Sequence, residues 1–283
     1  MNIKNTCDMI PSIYPDSRFH IEKWESYMDA CVPGAKELCL ADRDACLNAG
    51  YSWENDFLPV LDVVIAEPEK CREAVRSFRT VTGQLDEKIR NAFGKTVSAD
   101  IILYVGLCNG AGWVTTIGQT PTVLLGLEKI LELGWYTVQD MTGLIVHEAG
   151  HLYHAQYGHF LEETHSPSDS FLWKLFTEGA AMVFEQDVNG NSEYFHQDKN
   201  GWKAWCDGHQ EDIKRSFYRD LDTMTNENQR YFGDWVRFDS HGDVGYYLGA
   251  VFVRYLLRYD RFDSIINYDL VKVRNGFERF MQE

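Results

Sequence analysis

Two of the nine histidines stand four residues apart, in His147-Glu148-Ala149-Gly150-His151. On a helix, positions i and i+4 lie one above the other, so both imidazoles can face one small cation. Two neutral imidazole nitrogens suit a tetrahedral zinc ion. Glu148 follows the first of them and points obliquely off that face, where its carboxylate reaches a water held by the metal rather than the metal itself. That is the general-base position of a zinc hydrolase.

A third ligand decides the class. Twenty-seven residues beyond His151, the stretch FTEGAAMVFEQ places Glu178 before the small run Gly179-Ala180-Ala181, which would let a second helix approach the first closely. A carboxylate from that helix completes a His2Glu set with one position open to water. Glu162, Glu163 and Glu185 are the replacement candidates, although Glu162 and Glu163 follow His151 closely for a ligand on a second helix. The metzincin pattern needs Gly and His three and six residues past the second ligand. His154 and Tyr157 stand there, so that reading fails. His154 lies seven residues from His147 on roughly the same face, and reads as a structural histidine.

HEAGH followed by a Glu-Gly-x-Ala helix resembles the gluzincin clan of metallopeptidases, which includes the thermolysin and aminopeptidase N families. The nearest likeness is to a bacterial family of predicted zinc-dependent proteases without a well-defined substrate, and it runs from about Asp100 to Leu257. The resemblance implies a zincin-like core in which an edge strand presents free backbone N–H and C=O groups to an extended peptide. Residues 111 to 118 are the candidate edge, with Gly112, Trp113 and Val114 as substrate-binding positions; a plain glycine hairpin is the alternative. The aminopeptidase N family carries Gly-x-Met-Glu-Asn on this edge, whereas Gly110-Ala111-Gly112-Trp113-Val114 lacks the carboxylate that grips a free amine. Aminopeptidase specificity is therefore not implied.

A tetrahedral oxyanion needs a donor besides the metal. Tyr246-Tyr247-Leu248-Gly249 resembles the Tyr-x-Lys-Gly signature of the aminopeptidase N family, which makes Tyr246 the donor and puts Leu248 in place of the lysine. Tyr247 and His241 are the alternatives.

The elements that must hold these residues follow from periodicity and breakers. The expected fold class is α+β and mostly helical. A small mixed or antiparallel sheet and the HExxH helix lie at 96–160, a helical C-terminal part at 161–283, and a helical N-terminal region at 1–95. Within that first region the breaks are expected at Pro33-Gly34, Asn48-Ala49-Gly50, Pro68, Gly83 and Gly94. Ile101 to Leu107 reads as a buried strand, Phe171 to Asp187 as the helix bearing Glu178, and Val244 to Tyr259 as an apolar core helix. The aromatics around Trp202, Trp205, Phe217 and Trp235 read as core and lid packing.

The formal charge of −16 and the lack of a Lys/Arg run argue against nucleic acid and anionic membranes as partners. No apolar stretch is long enough to span a bilayer, and the first residues lack a secretion signal. Seven irregularly spaced cysteines do not form a disulfide framework, and reduced thiols fit a cytoplasmic location. Cys39 and Cys46 read as small core residues rather than ligands. The expected function is a cytoplasmic zinc-dependent peptidase with Zn2+ as cofactor and a peptide or protein as substrate; the oligomeric state is left open. Two alternatives stand beside it: a non-catalytic metal- or peptide-binding protein, and a zinc hydrolase of non-peptide substrates.

Overall fold

The β-branched and aromatic run that starts at Asp100 forms one of the two inner strands of a four-stranded mixed sheet in the computed structural model, which describes residues 1–233 and 235–283. The chain divides into two units, Met1–Glu148 and Ala149–Glu283. The expected break near residue 95 lies inside the first unit. The division itself falls within one continuous helix.

In the first unit the elements are β1 (Asn2–Asn5), α1 (Ile21–Cys31), α2 (Lys36–Asn48), α3 (Leu58–Ala66), α4 (Pro68–Phe93), β2 (Asp100–Tyr104), β3 (Trp113–Ile117), β4 (Thr120–Gly126) and α5 (Leu127–Glu132). The sheet order is β1-β2-β4-β3. β1, β2 and β4 run parallel, and β3 is antiparallel to β4, with Trp113 opposite Leu124 and Ile117 opposite Thr120. Ile101, Leu103, Val123, Leu124 and Leu125 are completely buried, as parallel strands with both neighbours in place require. Gly118, at a φ of 64°, supplies the left-handed residue of the two-residue turn between β3 and β4. The hairpin expected for residues 111 to 118 is present, and β3 lies at the end of the sheet, where no other strand among the described residues pairs with its outer side.

Two local readings need correction. The first residues were expected to belong to a helical region, but Asn2–Asn5 is a strand paired in register with β2. It is short and mostly exposed, so no alternation of apolar residues marks it. The break expected at Gly83 is also absent, because α4 continues from Pro68 to Phe93 and ends where Gly94 takes a φ of 69°. A mid-helix glycine costs only about 1 kcal/mol. Burial of Phe78, Val81, Leu85 and Ile89 on one face outweighs that. A Cβ added at Gly83 meets nothing within 4 Å. Gly83→Ala should therefore stabilise the protein by about 0.5–1 kcal/mol in urea unfolding.

α6 (Val138–Tyr157) carries the HEAGH residues and crosses the division between Glu148 and Ala149. Its helical backbone is uninterrupted across that point.

The second unit continues with α7 (Pro167–Asn189), α8 (Trp202–Gly208), α9 (Gln210–Asp220), α10 (Val244–Leu256), α11 (Phe262–Ile265) and α12 (Leu270–Gln282). Ser166 caps α7 by accepting the Asp169 N–H at 3.1 Å, with Pro167 at its first position. Phe176, Phe217, Phe252 and Phe277 form an aromatic core between α7, α9, α10 and α12. α10 crosses α7 backbone to backbone: a Cβ placed on Gly179 would run into the Gly249 carbonyl oxygen. Neither helix can yield there without moving its main chain. Gly179→Ala is expected to cost about 1–3 kcal/mol by overpacking, read as a lowered urea midpoint at unchanged slope.

Candidate metal centre

The small residues expected to bring the two ligand helices together divide that task. Ala181, not Gly179, receives α6: a Cβ on Gly150 would stand 3.0 Å from the Ala181 Cα. Gly150 is thus the point of closest approach, one residue before His151. Phe184 packs its ring against Tyr153 one turn further on, at 5.0 Å between centroids.

That crossing sets His151 beside Glu178, with His151 Nε2 3.2 Å from Glu178 Oε2. His147, His151 and Glu178 offer ligand atoms that all lie within 4.8 Å of one another. Two imidazoles and a carboxylate are the donor set that suits zinc, so the residues fit the ion that the spacing of His147, His151 and Glu178 implies. His147 is buried, whereas the side chains of His151 and Glu178 keep 12% and 15% of their exposure, so solvent reaches this group.

A second group shares His147. Buried His147, Glu185 and His196 also bring their ligand atoms within 4.8 Å of one another and could hold a metal ion. Glu185 is completely buried, and His196 places Nδ1 at 2.9 and 3.1 Å from its two carboxylate oxygens. Glu185 lies two helical turns beyond Glu178, and that spacing could have flagged it as more than a replacement ligand. His196 sits in the turn-rich stretch between α7 and α8, where no periodicity ties it to anything.

Of the other candidates, Glu162 accepts from the Leu270 N–H at 3.0 Å and contacts His159 at 2.9 Å, while Glu163 is exposed. Neither belongs to either trio. His154 is buried edge-on between Phe160 and Phe176, and burial pushes its pKa down to about 4, so it is a neutral packing residue.

Glu148 is 7% exposed and faces the loop before β3. A Cβ on Gly112 would meet Glu148 Oε1 at 2.8 Å and Leu144 Cδ1 at 2.9 Å, so only glycine lets this backbone come so near the carboxylate. Trp113 does not display its indole along the strand edge; Nε1 donates to the hydroxyl of buried Tyr104 at 3.1 Å. Val114 is half-buried and opposite Val123.

The loop itself is tied down by a residue that the sequence reading passed over. Glu128, completely buried at the start of α5, accepts the N–H groups of Gly106 at 2.9 Å and Cys108 at 3.2 Å. Burial raises its pKa to about 7 from 4.5, against the lowering effect of those N–H groups. The folded state then holds this proton more tightly than the unfolded chain does. Its contribution to stability is complete below pH about 4.5 and is lost as pH rises through about 7. The swing amounts to about 3 kcal/mol at ~1.36 kcal/mol per pH unit. Urea midpoints at pH 5 and pH 8 should differ accordingly, and Glu128→Gln should flatten that part of the profile.

The three candidate oxyanion donors separate. Tyr247 is buried, and its hydroxyl lies 2.9 Å from Asp207 Oδ1 and 3.0 Å from Gln210 Oε1, so it serves the packing of α8 and α9. His241 stacks on Trp205 at 3.7 Å between centroids and 11° between planes. Tyr246 is half-buried, edge-on to Phe232, one turn before the Gly249 that crosses α7 beside Glu178. Of the aromatics read as packing, Trp202 is buried with Nε1 donating to the Gly242 carbonyl at 2.8 Å, while Trp235 is 64% exposed. No helix among the described residues is long and apolar enough to cross a membrane. No family model, curated protein or solved structure matches the chain.

Proposed function

We propose that this protein is a zinc-dependent peptidase of the gluzincin type, acting in the cytoplasm. The single observation that carries the reading is the convergence of His147, His151 and Glu178 within 4.8 Å, with Glu148 on the same helix. A divalent ion bound there would supply a Lewis acid that polarises a carbonyl and makes a water a better nucleophile. The Glu148 carboxylate is suited to accept a proton from that water and return it to the departing amine. Its small residual exposure limits competing solvent. Gly112 holds the chain next to that carboxylate, and the unpaired side of β3 continues from it as a template for an extended peptide. Trp113 contributes to this edge through its backbone, since its indole is committed to Tyr104. Tyr246 remains the proposed oxyanion donor, because Tyr247 is committed to Asp207 and Gln210.

The test is turnover of a mixed peptide library by the purified chain, with small esters and epoxides alongside. Peptide cleavage that a chelator abolishes and zinc restores is the expected result. Cleavage that is indifferent to chelation, or confined to the esters or epoxides, would refute the peptidase reading.

A second reading has its own support. The wholly buried group His147, Glu185 and His196 suits a metal that holds the fold together without catalysis. On that reading the chain binds an ion tightly and cleaves no peptide in the same assay.

A further inference from the structure

The loop between β2 and β3 ends at Gly112, beside Glu148, and begins on a single buried side chain. Gly106 and Cys108 donate their N–H groups to Glu128, at 2.9 Å to Oε2 and 3.2 Å to Oε1. Cys108 stands four residues before Gly112. We infer that Glu128 is a positioning residue for the proposed general base: it fixes the loop so that the Gly112 backbone lies against the Glu148 carboxylate. This rests on the peptidase reading of Glu148, and every residue involved belongs to the first unit.

Three observations support it. First, the two N–H groups take one oxygen each, so the task needs two acceptors on one side chain. A carboxylate supplies both, whereas a glutamine amide offers only one. Second, the arrangement is unfavourable in itself. Glu128 is completely buried, and a carboxylate is harder to bury than an apolar side chain. Cys108 holds a left-handed φ of 62°, and a Cβ on Gly106 would lie 2.7 Å from Glu128 Oε1. Local geometry of this kind persists where the surroundings over-determine it, and it clusters at functional sites. Third, little slack intervenes between this anchor and the base. Gly126 donates its N–H to the Ala111 carbonyl at 3.1 Å, and a Cβ on Gly126 would meet the Gly110 carbonyl oxygen at 2.5 Å and Glu128 Oε1 at 3.2 Å. Gly112 follows directly, with no room for a Cβ beside Glu148 Oε1.

Glu128 belongs to neither group of candidate ligand atoms, so it acts through the loop and not through the metal. Asn109 holds the same loop from its outer side, accepting the Leu107 N–H at 3.0 Å and donating to the Cys39 carbonyl at 3.1 Å. The experiment therefore has to separate the buried anchor from the outer one.

The experiment uses the full chain with Zn2+ at pH 8. Peptide kcat and KM, zinc affinity by chelator competition, and amide hydrogen exchange over residues 106–112 are measured for the wild type, Glu128→Gln and Ile89→Val. Glu128→Gln is expected to lose about 10–100-fold in kcat, the scale of a small misplacement of reacting groups, with KM and zinc affinity unchanged. Exchange over the loop should be about 2–10-fold faster, as the loss of one hydrogen bond implies. Ile89→Val, which removes a buried methyl group from α4, should keep the wild-type kcat despite its lower stability. Wild-type kcat and loop exchange in Glu128→Gln would show that Asn109 holds the loop by itself and would overturn the inference. So would an equal loss of kcat in Ile89→Val, or a zinc affinity that falls in step with kcat. A different failure belongs to the underlying reading: a wild type without chelator-sensitive turnover, but with faster loop exchange in Glu128→Gln, removes the peptidase and leaves only an anchored loop. Should Glu128→Gln not fold, Glu128→Asp, which keeps both oxygens but withdraws them by one methylene, takes its place with the same outcomes.

Discussion

Glu148→Gln is expected to keep its metal and lose about 10²–10⁴-fold in peptide turnover, the range that a positioned general base supplies. The substitution is nearly isosteric, so the close approach of the Gly112 backbone to this side chain is preserved. What disappears is the ability to take up a proton. Metal content should match the wild type, because Glu148 belongs to neither group of ligand atoms. The loss should fall on kcat rather than KM, since the removed interaction belongs to the transition state. A variant with full kcat on the peptide library would dismiss Glu148 as the base, whatever the metal does.

His151→Ala is expected to act at the other end of the same reaction. In the outer trio His151 Nε2 lies 3.2 Å from Glu178 Oε2. Removing it leaves an imidazole and a carboxylate, which hold zinc poorly. Affinity should fall by well over ~100-fold, beyond the range seen when only outer partners are lost. Turnover should vanish with the metal, and the fold should persist, because Gly150 and Ala181, rather than the imidazole, set the approach of α6 to α7. Circular dichroism with metal analysis separates these effects. Wild-type metal content in this variant would move the ion to the buried group and support the non-catalytic alternative.

The parts of this molecule legible in the sequence are those governed by short-range spacing. His147 and His151 declare themselves because four residues make one turn, and the small run after Glu178 marks α7 as a helix that others can approach. The same run did not reveal its division of labour. Ala181 takes α6 and Gly179 takes α10, a choice made by Gly150 and Gly249, which lie about thirty and seventy positions away in sequence. Glu128 was illegible for a related reason: a glutamate in a short helix looks solvated until the loop at Gly106 and Cys108 folds over it. His196 was hidden because nothing periodic surrounds it. β1 was missed because parallel pairing with a strand almost a hundred residues away can hold a short polar edge that has no strand pattern of its own.

α7 is pressed on both sides at main-chain distance, by Gly150 of α6 near one turn and by Gly249 of α10 near another. Close-packed interiors are hardly compressible, so the carboxylate of Glu178 rides on a beam with almost no play. Calcium takes six to eight oxygens in adaptable shells at longer bond lengths. On the proposed metal reading, a cradle that cannot widen would discriminate by ionic radius, and it would favour the compact, nitrogen-loving cations over the large hard ones before any side chain exercised a chemical preference.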